Sequence, residues 1–258
     1  HSPDEETAVN NEANGAVLRA LHVPGRPLIL PNAWDAASAR LVVEAGFKAV
    51  ATSSAAIAAV LGWDDGEAAP VAEMLAAAAR IVRSVGVPVT VDFERGYGLK
   101  PDELVERFAQ TGAVGLNLED SDPATGAMVD AQHQADFLAG VRGAAQAQGV
   151  DLVINARTDS FLRQAGTPQE QLAASIERGS RYLAAGADCV YPLGVGEPDA
   201  IRALTEAIPG PVNVARGPQS PLSLADLAGL GVARVSFGPS LQRQTYGWFS
   251  SSILQALT

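Results

Sequence analysis

Three carboxylates follow two apolar segments that are neighbours along the chain. Asp92 and Glu94 follow the apolar part of "VTVDFERGYG", and Glu119 follows the apolar part of "GAVGLNLEDS". Carboxylates that converge without compensation raise one another's pKa, and a divalent cation relieves their repulsion. The nearby ligands are all oxygen atoms, which favours Mg2+ or Mn2+ over Zn2+. The sequence therefore predicts a metal site at Asp92, Glu94 and Glu119, with Asp65 of "LGWDDGE" as an outer ligand through water.

A simpler interpretation of the first pair is also open. Asp92 and Glu94 would then only precede a helix that begins at Pro101 and pair with Arg95, because acidic residues are common near helix starts. The convergence of two segments with the same pattern favours the metal site.

Few residues of this chain could support other kinds of catalysis. Neither lysine, Lys48 or Lys100, falls where a Schiff base would form inside a barrel. His133 is expected to be a solvated residue at a helix start, and Cys189 a small buried residue within a strand. What remains is metal-centred stabilisation of an anion.

Three further residues fit that chemistry. Arg157 supplies a fixed cation, and the backbone amides near Ser53 and Ser54 are donors for a carboxylate. A 2-oxo acid that chelates the metal through its carbonyl and carboxylate would develop negative charge beside the cation. Carbon–carbon cleavage or decarboxylation through an enolate requires that arrangement.

The elements that position these residues alternate between strands and helices. Short apolar runs recur about every thirty residues, with helical periods between them and glycines before several strands. An α/β fold of the (β/α)8 TIM-barrel type fits this rhythm better than an open sheet, because no glycine-rich phosphate loop follows the first strand. The predicted strands are residues 28–30, 49–52, 87–91, 114–118, 152–155, 188–191, 212–214 and 232–237.

Composition limits the class of protein. The chain has 258 residues, of which 47% are apolar, a formal net charge of -11 and one cysteine. This charge disfavours nucleic acid and anionic membranes as partners, and the cysteine count disfavours disulfides. We expect a cytoplasmic enzyme with a flexible segment at residues 1–14 and one barrel domain at 15–258, which includes a C-terminal helical segment at 239–257.

Four motifs, in order, carry a family resemblance. The stretches "PNAWDAASARLVVEAGFKAVATSSAAIAAVLGWDDGE", "VPVTVDFERGYG", "GAVGLNLEDS" and "VINARTD" resemble the isocitrate lyase and phosphoenolpyruvate mutase superfamily. The resemblance runs from about Leu28 to Asn213. It implies a (β/α)8 barrel whose C-terminal helix is swapped between subunits of a homodimer or homotetramer.

The resemblance also implies roles for individual residues. Mg2+ would bind through Asp92, with Glu94, Glu119 and Asp65 in supporting positions. The residues expected to contact substrate are Trp34, Ser53, Ser54, Asp92, Arg157 and Asn213.

The chain departs from the family at the positions that select the reaction. Glu94 stands where the family usually has aspartate. The segment after strand four, "EDSDPATGAMVDAQHQ", lacks the lyase cysteine and also the lysine and asparagine of the phosphonate branch. Leu193 replaces a glutamate of the lyases. The expected proton donors are therefore Tyr97, His133 or a metal-bound water.

The leading hypothesis is a Mg2+-dependent lyase or decarboxylase, with Mn2+ as the alternative metal. Its substrate would be a small 2-oxo or 2-hydroxy di- or tricarboxylate such as oxaloacetate, 2-oxoglutarate, isocitrate or 2-methylisocitrate. One alternative is phosphorus–carbon chemistry, as in phosphoenolpyruvate mutase or phosphonopyruvate hydrolase. A third is a protein that binds 2-oxo acids with little catalysis.

Overall fold

The computed structural model describes residues 14–164 and 166–257. Nine strands alternate with helices, and helix α1 covers residues 14–20 within this part of the chain. The strands are β1 (Leu28–Leu30), β2 (Asn32–Ala33), β3 (Val50–Thr52), β4 (Val89–Asp92), β5 (Gly115–Glu119), β6 (Val153–Thr158), β7 (Cys189–Pro192), β8 (Asn213–Ala215) and β9 (Arg234–Ser236). The other α-helices are α2 (Ala36–Glu44), α3 (Ser54–Leu61), α4 (Val71–Val82), α5 (Pro101–Ala109), α6 (Ala131–Ala147), α7 (Pro168–Ala184), α8 (Pro198–Ala207), α9 (Leu224–Gly229) and α10 (Ser240–Trp248).

The strands form a closed parallel barrel. Six pair in the order β2-β3-β4-β5-β6-β7 and three in the order β1-β9-β8. Pro31 interrupts the first barrel strand, so that β1 pairs with β9 and β2 pairs with β3. A parallel bridge between Val190 and Val212 joins β7 to β8 and completes the ring. The predicted barrel is confirmed, and the predicted first strand, residues 28–30, continues through β2.

Burial and capping explain the strand-to-helix alternation. Strand β5 is buried at every position, as expected for a parallel strand with helices outside it. Side chains then cap the helices that follow several strands. Asp35 accepts from Ser38 N at the start of α2, Ser53 accepts from Ala56 N at α3, and Thr167 forms a capping box at α7.

Helix α1 closes the N-terminal end of the barrel. Leu18 is fully buried and packs with Leu28 and Val153. Strand β5 begins with a glycine because a Cβ on Gly115 would lie 2.7 Å from Leu18 Cδ2. Arg19 pairs with Asp151 and Asp188 at distances of 2.7 and 2.8 Å. The opposite end, where the C-termini of the strands meet, is left open for a site.

The ends of the chain differ from the sequence prediction in two details. The predicted flexible segment, residues 1–14, lies outside the described residues except for Asn14, which is helical. The predicted helical segment 239–257 is α10 followed by a π-helix, Phe249–Leu254, and a 3-10 turn, Gln255–Leu257. No helix among the described residues combines the length and apolar character needed to cross a membrane.

Candidate active site

A small cavity opens at the C-terminal end of the barrel, with a volume of about 200 Å³. It is lined by groups from most of the strand ends and by one residue of α10. The lining residues are Asn32, Ser53, Ser54, Ala55, Asp65, Asp92, Asn117, Arg157, Leu162, Tyr191, Leu193, Ser236, Gly238, Pro239 and Arg243. Five of the predicted site residues meet here: Ser53, Ser54, Asp65, Asp92 and Arg157.

Asp92 lies at the centre of the cavity wall. Its Oδ2 accepts hydrogen bonds from Ser54 N at 3.0 Å and Ser54 Oγ at 2.8 Å. Its Oδ1 has only a long contact, 3.4 Å, from Asn117 Nδ2. The hydroxyl of Ser54 also lies 3.3 Å from Asp65 Oδ1, so that one serine links the two carboxylates. Asp92 and Asp65 are called the cavity pair below.

The donor set of the cavity pair fits a magnesium ion. Mg2+ usually binds through one or two carboxylates and keeps several waters or substrate oxygens. Oδ1 of Asp92 has spare acceptor capacity, and Asp65 is the second carboxylate on the same wall. Among the described residues, no group of three or more His, Cys, Asp or Glu side chains is placed to hold a metal ion.

Glu94 faces a different set of partners. Its Oε2 accepts from Glu67 N at 2.6 Å, and Tyr97 donates its hydroxyl to Oε1. Glu67 in turn accepts from the backbone amides of Arg95 and Tyr97, at 3.0 and 2.7 Å. Glu67, Glu94 and Tyr97 all have positive φ angles, between 49° and 61°, which non-glycine residues rarely adopt. These three residues are called the Glu67 clasp.

Burial strongly affects titration in the Glu67 clasp. It raises the pKa of Glu94 to about 7, although the hydroxyl of Tyr97 opposes the shift. Burial also raises the pKa of Tyr97, and the charge of Glu94 adds to that effect. Of the described residues that line the cavity, none belongs to the clasp. The role of Glu94 as a metal ligand and of Tyr97 as a proton donor therefore stays a prediction.

Glu119 forms an ion pair with Arg157, the residue that is predicted to bind an anionic group of the substrate. Its Oε2 lies 2.6 Å from Arg157 Nη1, and Arg157 also binds Asp159 through Nε and Nη2, at 2.6 and 3.0 Å. Burial raises the pKa of Glu119 to about 8 against the opposing charge of Arg157. Burial lowers the pKa of Arg157, but the charges of Glu119 and Asp159 outweigh it, so that the net shift is upward. Arg157 reaches the cavity with three of its five N–H donors already used.

Asp120, the next residue, is enclosed by protein. Its Oδ2 accepts from Tyr182 OH at 2.7 Å and Arg178 Nη1 at 3.1 Å, and its Oδ1 accepts from Asp159 N at 2.9 Å. The side chain has no solvent exposure. This network ties β5 to β6 and α7 and supports the neighbouring pair of Glu119 and Arg157.

Asn213 and Trp34, two other predicted substrate ligands, contact protein groups. Asn213 is buried and exchanges hydrogen bonds of 3.3 Å with Ser236. Trp34 packs edge-on against Tyr246 of α10, with ring centroids 6.3 Å apart. Neither is among the described residues that line the cavity, so their contact with substrate stays a prediction.

The segment that follows from the end of β5, residues 119–134, begins with a compact turn. Ser121 and Met128 form an antiparallel bridge, and Ser121 donates to Asp159 Oδ2 at 2.7 Å. His133 is exposed in the first turn of α6, where its backbone amide is capped by Asp130. None of the described residues of this segment lines the cavity, and the role of His133 as a proton donor stays a prediction.

Several cavity residues were not selected from the sequence as site residues. Asn32, Asn117, Tyr191 and Ser236 stand at or near the C-terminal end of a strand, and the sequence places them there as polar residues without assigning them a role. Arg243 belongs to α10, beyond the last strand. Strand position gives no signal for it.

Comparison with known proteins agrees with the fold and with the residue pattern. The chain matches the phosphoenolpyruvate phosphomutase family over residues 18–257. It is 30% identical to the phosphoenolpyruvate phosphomutase of Streptomyces hygroscopicus, over 88% of this chain and 75% of that protein. It is 29% identical to the 2,3-dimethylmalate lyase of Eubacterium barkeri, over 84% of this chain and 76% of that protein.

A solved structure gives a closer match. A Burkholderia cenocepacia protein, provisionally described as a phosphonomutase, superposes with a TM-score of 0.88 and 46% identity, over 92% of this chain and 98% of the other. The relatives include both a phosphomutase and a lyase, and the lyase is described as a member of the phosphoenolpyruvate mutase/isocitrate lyase superfamily. With its barrel, its strand-end carboxylates and a family match along nearly its whole length, this chain belongs to the phosphoenolpyruvate mutase/isocitrate lyase superfamily.

Proposed function

We propose that this protein is a Mg2+-dependent lyase that cleaves a small 2-oxo or 2-hydroxy carboxylate through an enolate. The observation that carries the proposal is the cavity pair: Asp92 and Asp65 share the hydroxyl of Ser54 on one wall of a small cavity. Asp92 and Asp65 would hold the cation, which would stabilise negative charge on the substrate's carbonyl oxygen.

The chain's own residues supply orientation around that charge. Ser54 holds Asp92 Oδ2 through two hydrogen bonds, so that Oδ1 is the oxygen available to a ligand in the cavity. Asn117 is fixed from behind, because its Oδ1 accepts from Asn155 and Arg234 at 2.8 and 3.2 Å. Its amide group therefore points toward Asp92 as a donor. Arg157 contributes its remaining N–H groups to an anionic oxygen of the substrate.

Tyr191 is the proton donor we propose for the enolate. Tyr191 lines the cavity. Burial raises the pKa of its phenol, so that the phenol stays protonated and can donate a proton. A Tyr191→Phe variant should keep Mg2+-dependent substrate binding and lose about a hundredfold in turnover. Turnover within twofold of the parent protein would remove Tyr191 from this role.

One panel of substrates tests the reaction. The purified protein with Mg2+ is incubated with oxaloacetate, isocitrate, 2-methylisocitrate and phosphonopyruvate, and products are followed by proton and phosphorus NMR. We expect carbon–carbon cleavage of at least one carboxylate, which stops when EDTA removes the metal. Binding of these acids without any turnover would refute the enzymatic proposal.

Phosphorus–carbon chemistry is the second candidate. The family match and the Streptomyces hygroscopicus relative favour it, since both carry the phosphoenolpyruvate phosphomutase description. Formation of phosphoenolpyruvate or inorganic phosphate from phosphonopyruvate, seen in the phosphorus spectra, would establish it in place of carbon–carbon cleavage.

We also propose that the protein is a homodimer or homotetramer in which the C-terminal segment packs on a second copy. Large apolar side chains of this segment are exposed: Trp248 at 59%, Phe249 at 48% and Leu257 at 79%. Burying such a patch is favourable by about 25 cal/mol per Å². Light scattering should therefore give a multiple of 26.6 kDa, and Trp248→Ser with Phe249→Ser should shift the mass toward one chain. A parent protein that is monomeric at micromolar concentration would contradict this assembly.

A further inference from the structure

Arg234 carries a buried positive charge inside the barrel. The residue is 1% exposed, and its guanidinium forms no ion pair within residues 14–164 and 166–257. Its Nη2 donates to Asn117 Oδ1 at 3.2 Å and its Nη1 lies 3.5 Å from His22 Nε2, while Nε has no hydrogen-bond partner in the same part of the chain. Burial lowers the pKa of Arg234, but an arginine stays protonated in proteins. The barrel therefore holds a cation that no ion pair neutralises.

The two side chains in contact with the guanidinium of Arg234 are neutral. His22 Nδ1 donates to Leu18 O at 2.8 Å, which leaves Nε2 as the acceptor that faces Arg234. Burial, together with the charge of Arg234, lowers the pKa of His22 to about 4, so that His22 adds no second charge at neutral pH. Asn117 is an amide and contributes only a dipole. Because an unpaired charge in a protein core costs stability, the charge of Arg234 is a cost to the fold.

The charge lies beneath the candidate active site. Side chains two residues apart on a strand share a face, so Arg234 stands one layer deeper in the barrel than Ser236, which lines the cavity. The hydrogen bond from Arg234 reaches Asn117, which also lines the cavity and contacts Asp92 Oδ1 through its Nδ2 at 3.4 Å. The negative charge of Asp92 is among the effects that oppose the lowered pKa of Arg234. One amide group therefore separates the cation from the wall where a ligand would bind.

We infer that Arg234 is a positioning residue whose buried charge favours the enolate form of a 2-oxo acid over its ground state in the cavity above it. The inference rests on the proposed function and deepens it, because it names a residue that stabilises the charge developed at the same site. Asn117 connects the two: its Oδ1 faces the cation, so its NH2 group faces the cavity wall and Asp92. In the low dielectric of a barrel interior, a fixed charge acts on a ligand without direct contact. Such a charge needs no movement when negative charge develops on the substrate.

Two small ligands of similar shape and different charge test the inference. Pyruvate is a monoanion that resembles the ground state, and oxalate is a planar dianion that resembles the enolate of pyruvate. Each is titrated by calorimetry, with Mg2+ present, into the parent protein, Arg234→Met, Arg234→Gln, Arg234→Lys and Arg142→Met. Urea unfolding of the same proteins is measured in parallel. Arg142→Met is the matched control, because Arg142 is a partly buried arginine outside the cavity lining that pairs with Asp188 at 2.6 Å.

Arg234→Met should weaken oxalate binding by about tenfold or more and pyruvate binding by less than about threefold. Its urea midpoint should equal or exceed that of the parent protein, since methionine fills the space without a charge. Arg234→Gln should show the same selective loss, because it can still donate to Asn117 but carries no charge. Arg234→Lys should recover part of the preference for oxalate, because it restores the charge without the planar fork. Arg142→Met should lower the urea midpoint and leave both affinities within about twofold of the parent protein.

The outcomes separate this inference from the proposed function. Oxalate binding that is unchanged in Arg234→Met, or losses that are equal for oxalate and pyruvate, overturn the inference alone. If Arg234→Met does not fold, Arg234→Gln decides by the same two criteria. A selective loss of oxalate binding, without turnover of any substrate of the NMR panel by the parent protein, supports the inference and refutes the lyase. A parent protein that binds neither ligand overturns both.

Discussion

Two sets of carboxylates at the same end of the barrel have opposite surroundings. The cavity pair, Asp65 and Asp92, is tied to one serine and lines the cavity. The enclosed carboxylates, Glu67, Glu94 and Asp120, accept hydrogen bonds from backbone amides, tyrosines and an arginine. Asp92 and Glu94 lie at the end of β4, Asp65 and Glu67 lie in the loop between α3 and α4, and Asp120 follows β5. The difference shows that a position near a strand end does not decide whether a carboxylate lines the cavity or is bound by other protein groups.

The donors available to each carboxylate explain the difference. Glu94 accepts from the backbone amide of Glu67, and Glu67 accepts from the amides of Arg95 and Tyr97. In this turn, Glu67, Glu94 and Tyr97 have left-handed φ angles. A carboxylate that accepts such amides stabilises a backbone conformation costing of order 1–3 kcal/mol per residue. Asp92 instead keeps one oxygen with only a 3.4 Å contact. Asp92 Oδ1 therefore has acceptor capacity to spare at the cavity wall.

The sequence was sufficient to predict the barrel and several of the residues that line the cavity. The eight strands follow from a strong periodic signal, and Asp92, Ser54 and Arg157 follow from their places at strand ends. It was not sufficient for the partners of Glu94 and Glu119, because those depend on loop geometry and on a rotamer of Arg157. Arg243 could not be found, since the fold of the C-terminal segment alone brings it to the cavity.

The largest expected effect is the loss of stability when an enclosed carboxylate is replaced. Asp120→Asn should lower the free energy of unfolding by about 3 kcal/mol, because an amide group in this fully buried position faces one of the donors with its own NH2 and removes the charged partner of the half-buried Arg178. Urea unfolding followed by circular dichroism measures the change. The folded variant should still bind oxaloacetate with Mg2+. A stability within about 1 kcal/mol of the parent protein would show that enclosure does not make this carboxylate structural.

Replacing a member of the cavity pair should weaken ligand binding and leave stability nearly unchanged. Asp92→Asn should reduce Mg2+-dependent binding of oxaloacetate by about a hundredfold, or about 2.7 kcal/mol, and leave the unfolding midpoint nearly unchanged. Calorimetry gives the affinity, and Glu94→Gln is the matched control. If Glu94→Gln loses as much affinity as Asp92→Asn, the two sets act as one metal site and the comparison fails.

The Glu67 clasp should contribute an intermediate amount of stability. Glu67→Gln replaces a charged acceptor of two backbone amides by a neutral one and should cost about 2 kcal/mol. Chemical denaturation measures it. The affinity for oxaloacetate in the folded variant should change less than about threefold. A variant with full stability and lost affinity would place Glu67 with the cavity pair.

The smallest expected loss of stability comes from the hydroxyl of Tyr97, a member of the Glu67 clasp. Tyr97→Phe removes the hydroxyl that donates to Glu94 and should lower the free energy of unfolding by about 1 kcal/mol. Because Tyr97 is not among the described cavity residues, turnover of the substrate should stay within about twofold, in contrast to the loss expected for Tyr191→Phe. Parallel assays of the two variants at equal folded fraction make this distinction. A turnover loss confined to Tyr97→Phe would mean that the clasp opens during the reaction and delivers its phenol to the cavity.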